Sequence, residues 1–471
     1  MAIIGRKTEL EALERFIASD SAEFVAVFGR RRVGKTFLIR EFFGDKFTFY
    51  HTGMANTGME MQLHSFNASL NHYGTVSYPE ATTWFDSFGQ LRKLILRSRK
   101  KGKKVVFLDE MPWMDTPRSG FLTALEHFWN GWASGQKDIL LIVCGSITSW
   151  IVDKILNNRG GLHNRVTQQI YLHPFTLSEC EAYYKKNHFA MSRREMVENY
   201  MIFGGIPYYL SLMQKQLSMA QNVDNLLFAS NTPLKNEFQN LYDSLFKKAE
   251  NHIKIVEALS SKAKGLTRNE IISATKLPNG GGINRVLKEL ELSGFIRRYR
   301  GYGKKIRHSL YQLVDFYTLF YFNFLKDSAF NDEHYWTNFI ENARHRAWSG
   351  YAFEQVCLSH LSQIKQKLGI SGVLTSAYSW ISNDKKHGAQ IDLLIERNDN
   401  VINLCEMKFA NEKFTIDKRL DENLRNKRAA FKEETKNRKA VHLTMITTYG
   451  VKRNAYWGHI QSEVTVNDLF T

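Results

Sequence analysis

The chain has 471 residues, 43% of them hydrophobic and only seven of them proline, which is the composition of a globular protein long enough for about three domains and several cores. Its formal net charge of +17 points to a polyanionic partner, nucleic acid first and an acidic membrane surface second. Cys144, Cys180, Cys357 and Cys405 stand too far apart for a C-x-x-C site, and no stretch approaches the roughly 18 apolar residues that a membrane span needs. A zinc ribbon, a disulfide scaffold and a membrane-spanning protein are thereby excluded, and a reduced, cytoplasmic chain is expected.

The opening MAIIGRKTELEALERF carries charge too early for a signal peptide; Ile4-Gly5-Arg6 leads into an amphipathic helix through Leu13 and Phe16. Phe24 to Phe28 reads as a buried parallel strand, and Phe37-Leu-Ile39 starts a helix. Between them lies GRRRVGKT, which is Gly29, Arg30, Arg31, Arg32, Val33, Gly34, Lys35 and Thr36, a G-x-x-x-x-G-K-[ST] loop in strand-loop-helix context. Its glycines let backbone N–H groups and the helix N-terminus wrap a phosphate. Lys35 reaches the β- and γ-phosphates, and Thr36 places its hydroxyl on Mg²⁺.

Residues 40 to 104 alternate between α and β patterns and close on the basic run Arg97 to Lys104. Val105 to Leu108 is a second buried strand, ending in Asp109, which would orient Mg²⁺, and Glu110, which would polarise the attacking water. A third, Ile139 to Cys144, ends in Gly145-Ser146, where the serine would sense the γ-phosphate. Downstream, Arg159 and Arg165 lie in NNRGGLHNRV; either could bring a guanidinium to the phosphate, in cis or from a neighbouring subunit, or be a surface arginine.

The succession GRRRVGKT, VVFLDE, LIVCGS, NRGGLHNR and Gly204-Gly205-Ile-Pro207 resembles the archaeal-type P-loop ATPases of the AAA+/STAND kind. The resemblance implies a P-loop ATPase core over residues 1–170, a helical lid over 171–245, and Gly5, Arg6 and Pro207 as nucleotide contacts, with ATP and Mg²⁺ as cofactors.

Residues 246–325 follow a helix-helix-helix-wing order. Thr267-Arg-Asn-Glu270 is a capping box, Ile283 to Leu290 a third helix, and Gly294-Phe-Ile296 opens a hairpin. This is the order of a winged helix-turn-helix. Its recognition helix would expose Asn284, Arg285 and Lys288, and its wing carries Arg297, Arg298, Arg300, Lys304, Lys305 and Arg307 with no acidic residue, suited to a DNA backbone. The same module can serve as an interdomain adaptor. The aromatic run Phe316 to Phe324 reads as a packing helix.

Residues 326–471 open with a helix bearing Glu354, and strands follow at Leu374–Ile381, Ala389–Glu396 and Val401–Phe409, joined by turns at 383–388 and 398–400. Asp392 and Glu406 sit on neighbouring strands, and Glu406 and Lys408, two apart, share a face. With Glu354 they compose a hard oxygen site for Mg²⁺, and Lys408 would orient water or stabilise developing phosphate charge. D-x(13)-E-x-K resembles the PD-(D/E)XK nucleases, in particular a domain fused to the ATPases named above, although Ile391 stands where that motif has proline. The expected fold is multidomain α/β: a P-loop NTPase core with helical lid, a winged helix-turn-helix, and a C-terminal α/β nuclease-like fold. The expected function is an ATP-binding and ATP-hydrolysing switch acting on DNA, with a Mg²⁺-dependent nuclease-like domain and homo-oligomerisation left open. The alternatives are a DNA- or protein-binding regulator with an inactive nuclease fold, and a signalling ATPase, which the lack of solenoid repeats disfavours.

Overall fold

A computed structural model describes residues 3–157, 160–246, 248–305, 308–326, 332–339, 342–383 and 388–471. The chain forms two compact units, Met1–Pro174 and Phe175–Thr471.

In the first unit, α1 (Lys7–Ala18) precedes β1 (Glu23–Phe28), α2 (Lys35–Phe43), β2 (Phe47–Thr52), α3 (Met59–Tyr73), α4 (Trp84–Arg97), β3 (Lys104–Asp109), α5 (Phe121–Gly131), β4 (Ile139–Gly145) and β5 (Gln168–Tyr171). The five strands form one parallel sheet in the order β2-β3-β4-β1-β5. β1 and β4 are buried along their whole length, which is why they read as unbroken apolar runs and not as alternating ones. Phe24, Ala26 and Phe28 of β1 and Leu141 and Val143 of β4 pack with Phe66 of α3, Trp84, Phe88 and Leu91 of α4, and Phe121, Leu125 and Phe128 of α5. Val25, Val27, Phe107, Leu140 and Ile142, which point the other way, are buried too.

The strand order carries the functional geometry. β4 lies between β1 and β3, with Phe28 opposite Gly145 and Leu108 opposite Val143. All five strands run the same way, so the segments following β1, β3 and β4 emerge together at the carboxyl edge, the ligand-binding edge of open α/β sheets.

The second unit begins with helices Leu177–Lys186, Arg193–Phe203, Pro207–Ser211, Met219–Val223 and Glu237–Leu245. Helices Glu250–Ser260, Arg268–Thr275 and Gly281–Leu292 follow, with β6 (Leu266–Thr267), β7 (Ile296–Tyr299) and β8 (Leu310–Leu313) in an antiparallel sheet ordered β6-β8-β7. Thr267 caps the second helix through the capping box expected from the sequence, its hydroxyl accepting from Glu270 N–H. Phe316–Phe320 packs its aromatic rings inward, where Phe320 meets Trp336 and Trp348.

The Ala343–Ser359 helix introduces a second five-stranded sheet, β13-β12-β11-β10-β9. β9 (Thr375–Ile381), β10 (Gln390–Arg397) and β11 (Val401–Lys408) form an antiparallel meander. The Lys418–Thr435 helix carries the chain over to β12 (Ala440–Thr447), parallel to β11, and β13 (Ser462–Thr465) adds parallel to β12. A parallel return needs such a crossover, which explains the long helix after β11. All four cysteines are buried, and none is in a disulfide. Among the described residues no helix is long and apolar enough to cross a membrane.

Candidate functional site

The phosphate loop leaves β1 at Gly29, whose φ is +143°. A Cβ there would lie 2.4 Å from the Leu172 carbonyl oxygen beyond β5, so only glycine lets the loop pass this close. Arg32 and Gly34 also take positive φ, +70° and +89°, and turn the loop into α2. Arg6 braces it from outside the motif: the buried guanidinium donates to Val33 O at 3.1 Å and to His173 O at 2.8 Å. Its place here is as a tie on the loop backbone.

Lys35 is buried and folds back over the loop, donating to Gly29 O at 3.0 Å and Arg30 O at 2.9 Å. Burial lowers its pKa, against the opposing pull of Cys144, Glu110 and Asp109. Neutral carbonyls are weaker acceptors than phosphate oxygens, so the ammonium is poised to exchange them for a charge-assisted contact. Thr36 Oγ1 donates to Asp109 Oδ2 at 2.8 Å. Asp109 is 2% exposed, and burial raises its pKa although the Thr36 bond works the other way. A hydroxyl and a carboxylate in contact at the mouth of a phosphate loop fit Mg²⁺: Thr36 and Asp109 would hold it, and it would neutralise charge on the phosphate oxygens.

Glu110 has left-handed backbone, φ +47°, uncommon for a non-glycine residue and a mark of a constrained position. Its carboxylate is gripped from β4: Ser146 Oγ donates to Oε1 at 2.6 Å and Ser146 N–H to Oε2 at 3.2 Å. The structure therefore joins Lys35, Thr36, Asp109, Glu110 and Ser146 at one edge. The sequence puts Ser146 near the γ-phosphate; what it did not reveal is that Ser146 holds Glu110, a pairing created by β4 lying beside β3.

Arg165 is placed elsewhere. It is exposed in the turn before β5, where Thr167 N–H bonds Phe24 O and Thr167 Oγ1 accepts from Phe24 N–H at 3.0 Å. This is the amino edge of the sheet; Gly29 lies five residues of strand away, about 16 Å at ~3.3 Å per residue. The expectation that Arg165 completes the site in cis is corrected on this ground, which leaves a contribution to a neighbouring copy or the place of a surface arginine. Arg159 lies outside the described residues. Pro207 opens the Pro207–Ser211 helix at its first turn, following Gly204 and Gly205, which both have positive φ.

In the second unit, Glu354, Asp392, Glu406 and Lys408 come together. Burial, then the charges of Asp392 and Glu406, push the Glu354 pKa up to about 8. Glu406 is itself buried, yet its pKa is lowered, because two lysines outweigh the burial: Lys427 Nζ donates to Oε2 at 2.8 Å and Lys408 Nζ to Oε1 at 2.9 Å. Among the described residues no group of three or more His, Cys, Asp or Glu is arranged to hold a metal ion. As they stand, Glu354, Asp392 and Glu406 do not fit bound Mg²⁺, because ammonium groups already occupy both Glu406 oxygens. Lys427 escaped the sequence reading, although a signal existed. It falls in the apolar stripe of its helix with Leu420, Leu424 and Phe431, where a lysine needs an internal partner.

Residues 246–325 hold fifteen Lys and Arg against six Asp and Glu, a net +9 of the chain's +17. Part of the expected wing nevertheless lies against the C-terminal sheet. Arg297 lies half-buried against Gln312 Oε1 at 3.0 Å and Gln355 Oε1 at 3.1 Å, and burial lowers its pKa. Arg300 lies over the Tyr378 ring, Lys304 donates to Asn383 Oδ1 at 3.3 Å, and Tyr302 N–H donates to Ser379 O at 2.8 Å on β9. The DNA contact expected of Arg297 is corrected accordingly, since the segment docks on the edge strand of the C-terminal sheet and holds this cation; Arg300 and Lys304 touch that sheet's edge but stay exposed. Arg298 and Lys305 are exposed, and Arg307 lies outside the described residues. On the Gly281–Leu292 helix, Ile283, Leu287 and Leu290 are buried, while Asn284, Arg285 and Lys288 face outward. Arg285 pairs with Glu289 at 2.9 Å, and Arg268 donates to Asn284 Oδ1 at 2.6 Å.

A five-stranded parallel sheet with a glycine loop, a buried lysine and a paired aspartate and glutamate at its carboxyl edge defines an ATPase domain of the P-loop class. Residues 3–213 match the family described as an ATPase domain predominantly from Archaea. An uncharacterized protein of Methanocaldococcus jannaschii is 23% identical over 400 residues, 84% of this chain and 84% of that one. An uncharacterized ATP-binding protein of the same organism is 49% identical over 43 residues, 9% of this chain and 73% of its own length. Among solved structures, a Walker-type ATPase of Pyrococcus abyssi aligns with TM-score 0.48 at 16% identity, covering 68% of this chain and 96% of that one. Cdc6p from Pyrobaculum aerophilum aligns with TM-score 0.32 at 12% identity, covering 65% and 89%.

Proposed function

We propose that the chain is an ATP-hydrolysing switch that acts on DNA, its nucleotide state biasing the disposition of a winged helix-turn-helix and a nuclease-like domain. The observation that carries the proposal is the contact network at the sheet edge, where Thr36 meets Asp109 and Ser146 grips Glu110. Glu110 takes the role of water-polarising base, Lys35 that of phosphate clamp, and Ser146 links the base to the γ-phosphate position. The helix order of residues 250–292, the β6-β8-β7 sheet and the local net charge of +9 support a winged-helix reading with the Gly281–Leu292 helix toward DNA.

Phosphate release from ATP by the full chain tests the first part. Lys35→Ala should abolish turnover, and Glu110→Gln should keep ATP binding while slowing turnover by about 10²-fold or more. Turnover by Glu110→Gln at the wild-type rate would remove the assigned base.

For the C-terminal domain the ion pairs on Glu406 favour a nuclease-like fold used as a binding platform. The second reading, Mg²⁺-dependent cleavage, draws on the adjacency of Glu354, Asp392, Glu406 and Lys408. DNA cleavage that requires Lys408 would select it.

A further inference from the structure

A PD-(D/E)XK resemblance implies a magnesium ion held by open carboxylate oxygens, and on Glu406 both are taken. Lys408, from the E-x-K run itself, holds Oε1, and Lys427 holds Oε2. Lys427 comes from the helix that crosses the sheet, three residues after buried Leu424 and four before buried Phe431. Its side chain is 14% exposed and that of Glu406 11%. An ammonium buried to that degree is tolerated only against a fixed anion, which sets this pair apart from the exposed ion pairs of a surface. Asp392 and Glu406 bring two negative charges and Lys408 and Lys427 two positive ones, so this part of the cluster is closed electrically without an added ion.

We infer that Lys427 takes the place of a divalent cation at Glu406, so that the C-terminal carboxylates do not load Mg²⁺ while the pair holds. The inference rests on the nuclease-like reading of this domain. It makes Lys427 a positioning residue that decides whether the carboxylates act as metal ligands or as a closed ion-pair cluster.

Free Mn²⁺ measured by electron paramagnetic resonance, titrated into the full-length chain without nucleotide, tests it. Wild type, Lys427→Met, Lys427→Arg, Glu406→Gln and the Lys427→Met/Glu406→Gln double variant are compared, with circular dichroism and melting temperature verifying the fold of each. The phosphate-loop site contributes equally to all five. Lys427→Met should gain one Mn²⁺ per chain, bound at least tenfold more tightly than anything Glu406-dependent in the wild type. The double variant should lose it, and Lys427→Arg should stay closed. A wild-type chain that already binds one Mn²⁺ through Glu406, or a folded Lys427→Met that gains none, overturns the inference. Plasmid DNA added to the Mn²⁺-loaded Lys427→Met separates the two claims: metal gained without cleavage upholds the role of Lys427 and removes the nuclease reading.

Discussion

His51 offers a quantitative test of how the first unit is held together beside its site. The residue is 3% exposed on the edge strand β2, its Nδ1 is 2.9 Å from Ser69 Oγ, and its ring meets Phe66 with centroids 5.0 Å apart. Burial lowers its pKa from 6.5 to about 4. The fold thus favours the neutral imidazole, and its contribution is intact above the unfolded value and lost as pH falls from 6.5 toward 4. At pH 7 the linkage cost is only about 0.2 kcal/mol; at pH 5 the unfolded imidazole is almost fully protonated and the folded one almost fully neutral, and the cost is about 2 kcal/mol. In His51→Phe that term vanishes, while the lost Ser69 hydrogen bond, about 1 kcal/mol, weighs equally at both pH values. Urea unfolding of both proteins at pH 7 and pH 5 is the assay. The stability difference between them should move by about 2 kcal/mol in favour of the variant on going to pH 5. Because Thr52 pairs with Asp109 and Gly53 N–H bonds Asp109 O, loosening β2 reaches the site, and ATP turnover at pH 5 should survive better in the variant. Equal pH dependence of the two proteins would refute the argument that the buried neutral histidine carries it.

Three further outcomes are expected. Gly29→Ala should destabilise the first unit by about 2–5 kcal/mol and abolish ATP binding, since the new Cβ would sit 2.4 Å from Leu172 O at a φ of +143°; thermal melting with and without ATP reports both effects. Ser146→Ala should lower turnover about tenfold and leave ATP affinity within about threefold, because it frees Glu110 without touching the phosphate loop; an equal fall in affinity would place Ser146 in binding instead. Arg297→Met should cost about 1–3 kcal/mol in denaturant unfolding by removing the donors held by Gln312 and Gln355, and should leave DNA affinity unchanged, whereas Lys288→Ala should reduce both affinity and its salt slope.

What the sequence determined by itself is the chemistry that fits in a contiguous stretch. A phosphate loop is set by glycines, one lysine and one threonine in eight consecutive residues, and a buried parallel strand declares itself by an unbroken apolar run, so Gly29 to Thr36 and Asp109-Glu110 were legible at once. The β9, β10 and β11 boundaries were legible to within a residue or so because β-strand alternation and turn residues are local too. Tertiary structure decided everything that depends on which strand lies beside which. β4 beside β3 gives Glu110 to Ser146; the entry of β5 from the amino edge carries Arg165 away from the phosphate; β9 receives the segment after β7, and Arg297 is held by Gln312 and Gln355. Lys427 reaches Glu406 from 21 residues further along the chain. Backbone propensity and hydrophobic period act over a few residues, whereas an ion pair's partner is fixed only when the cores have packed, and the charges of this chain found theirs at that stage.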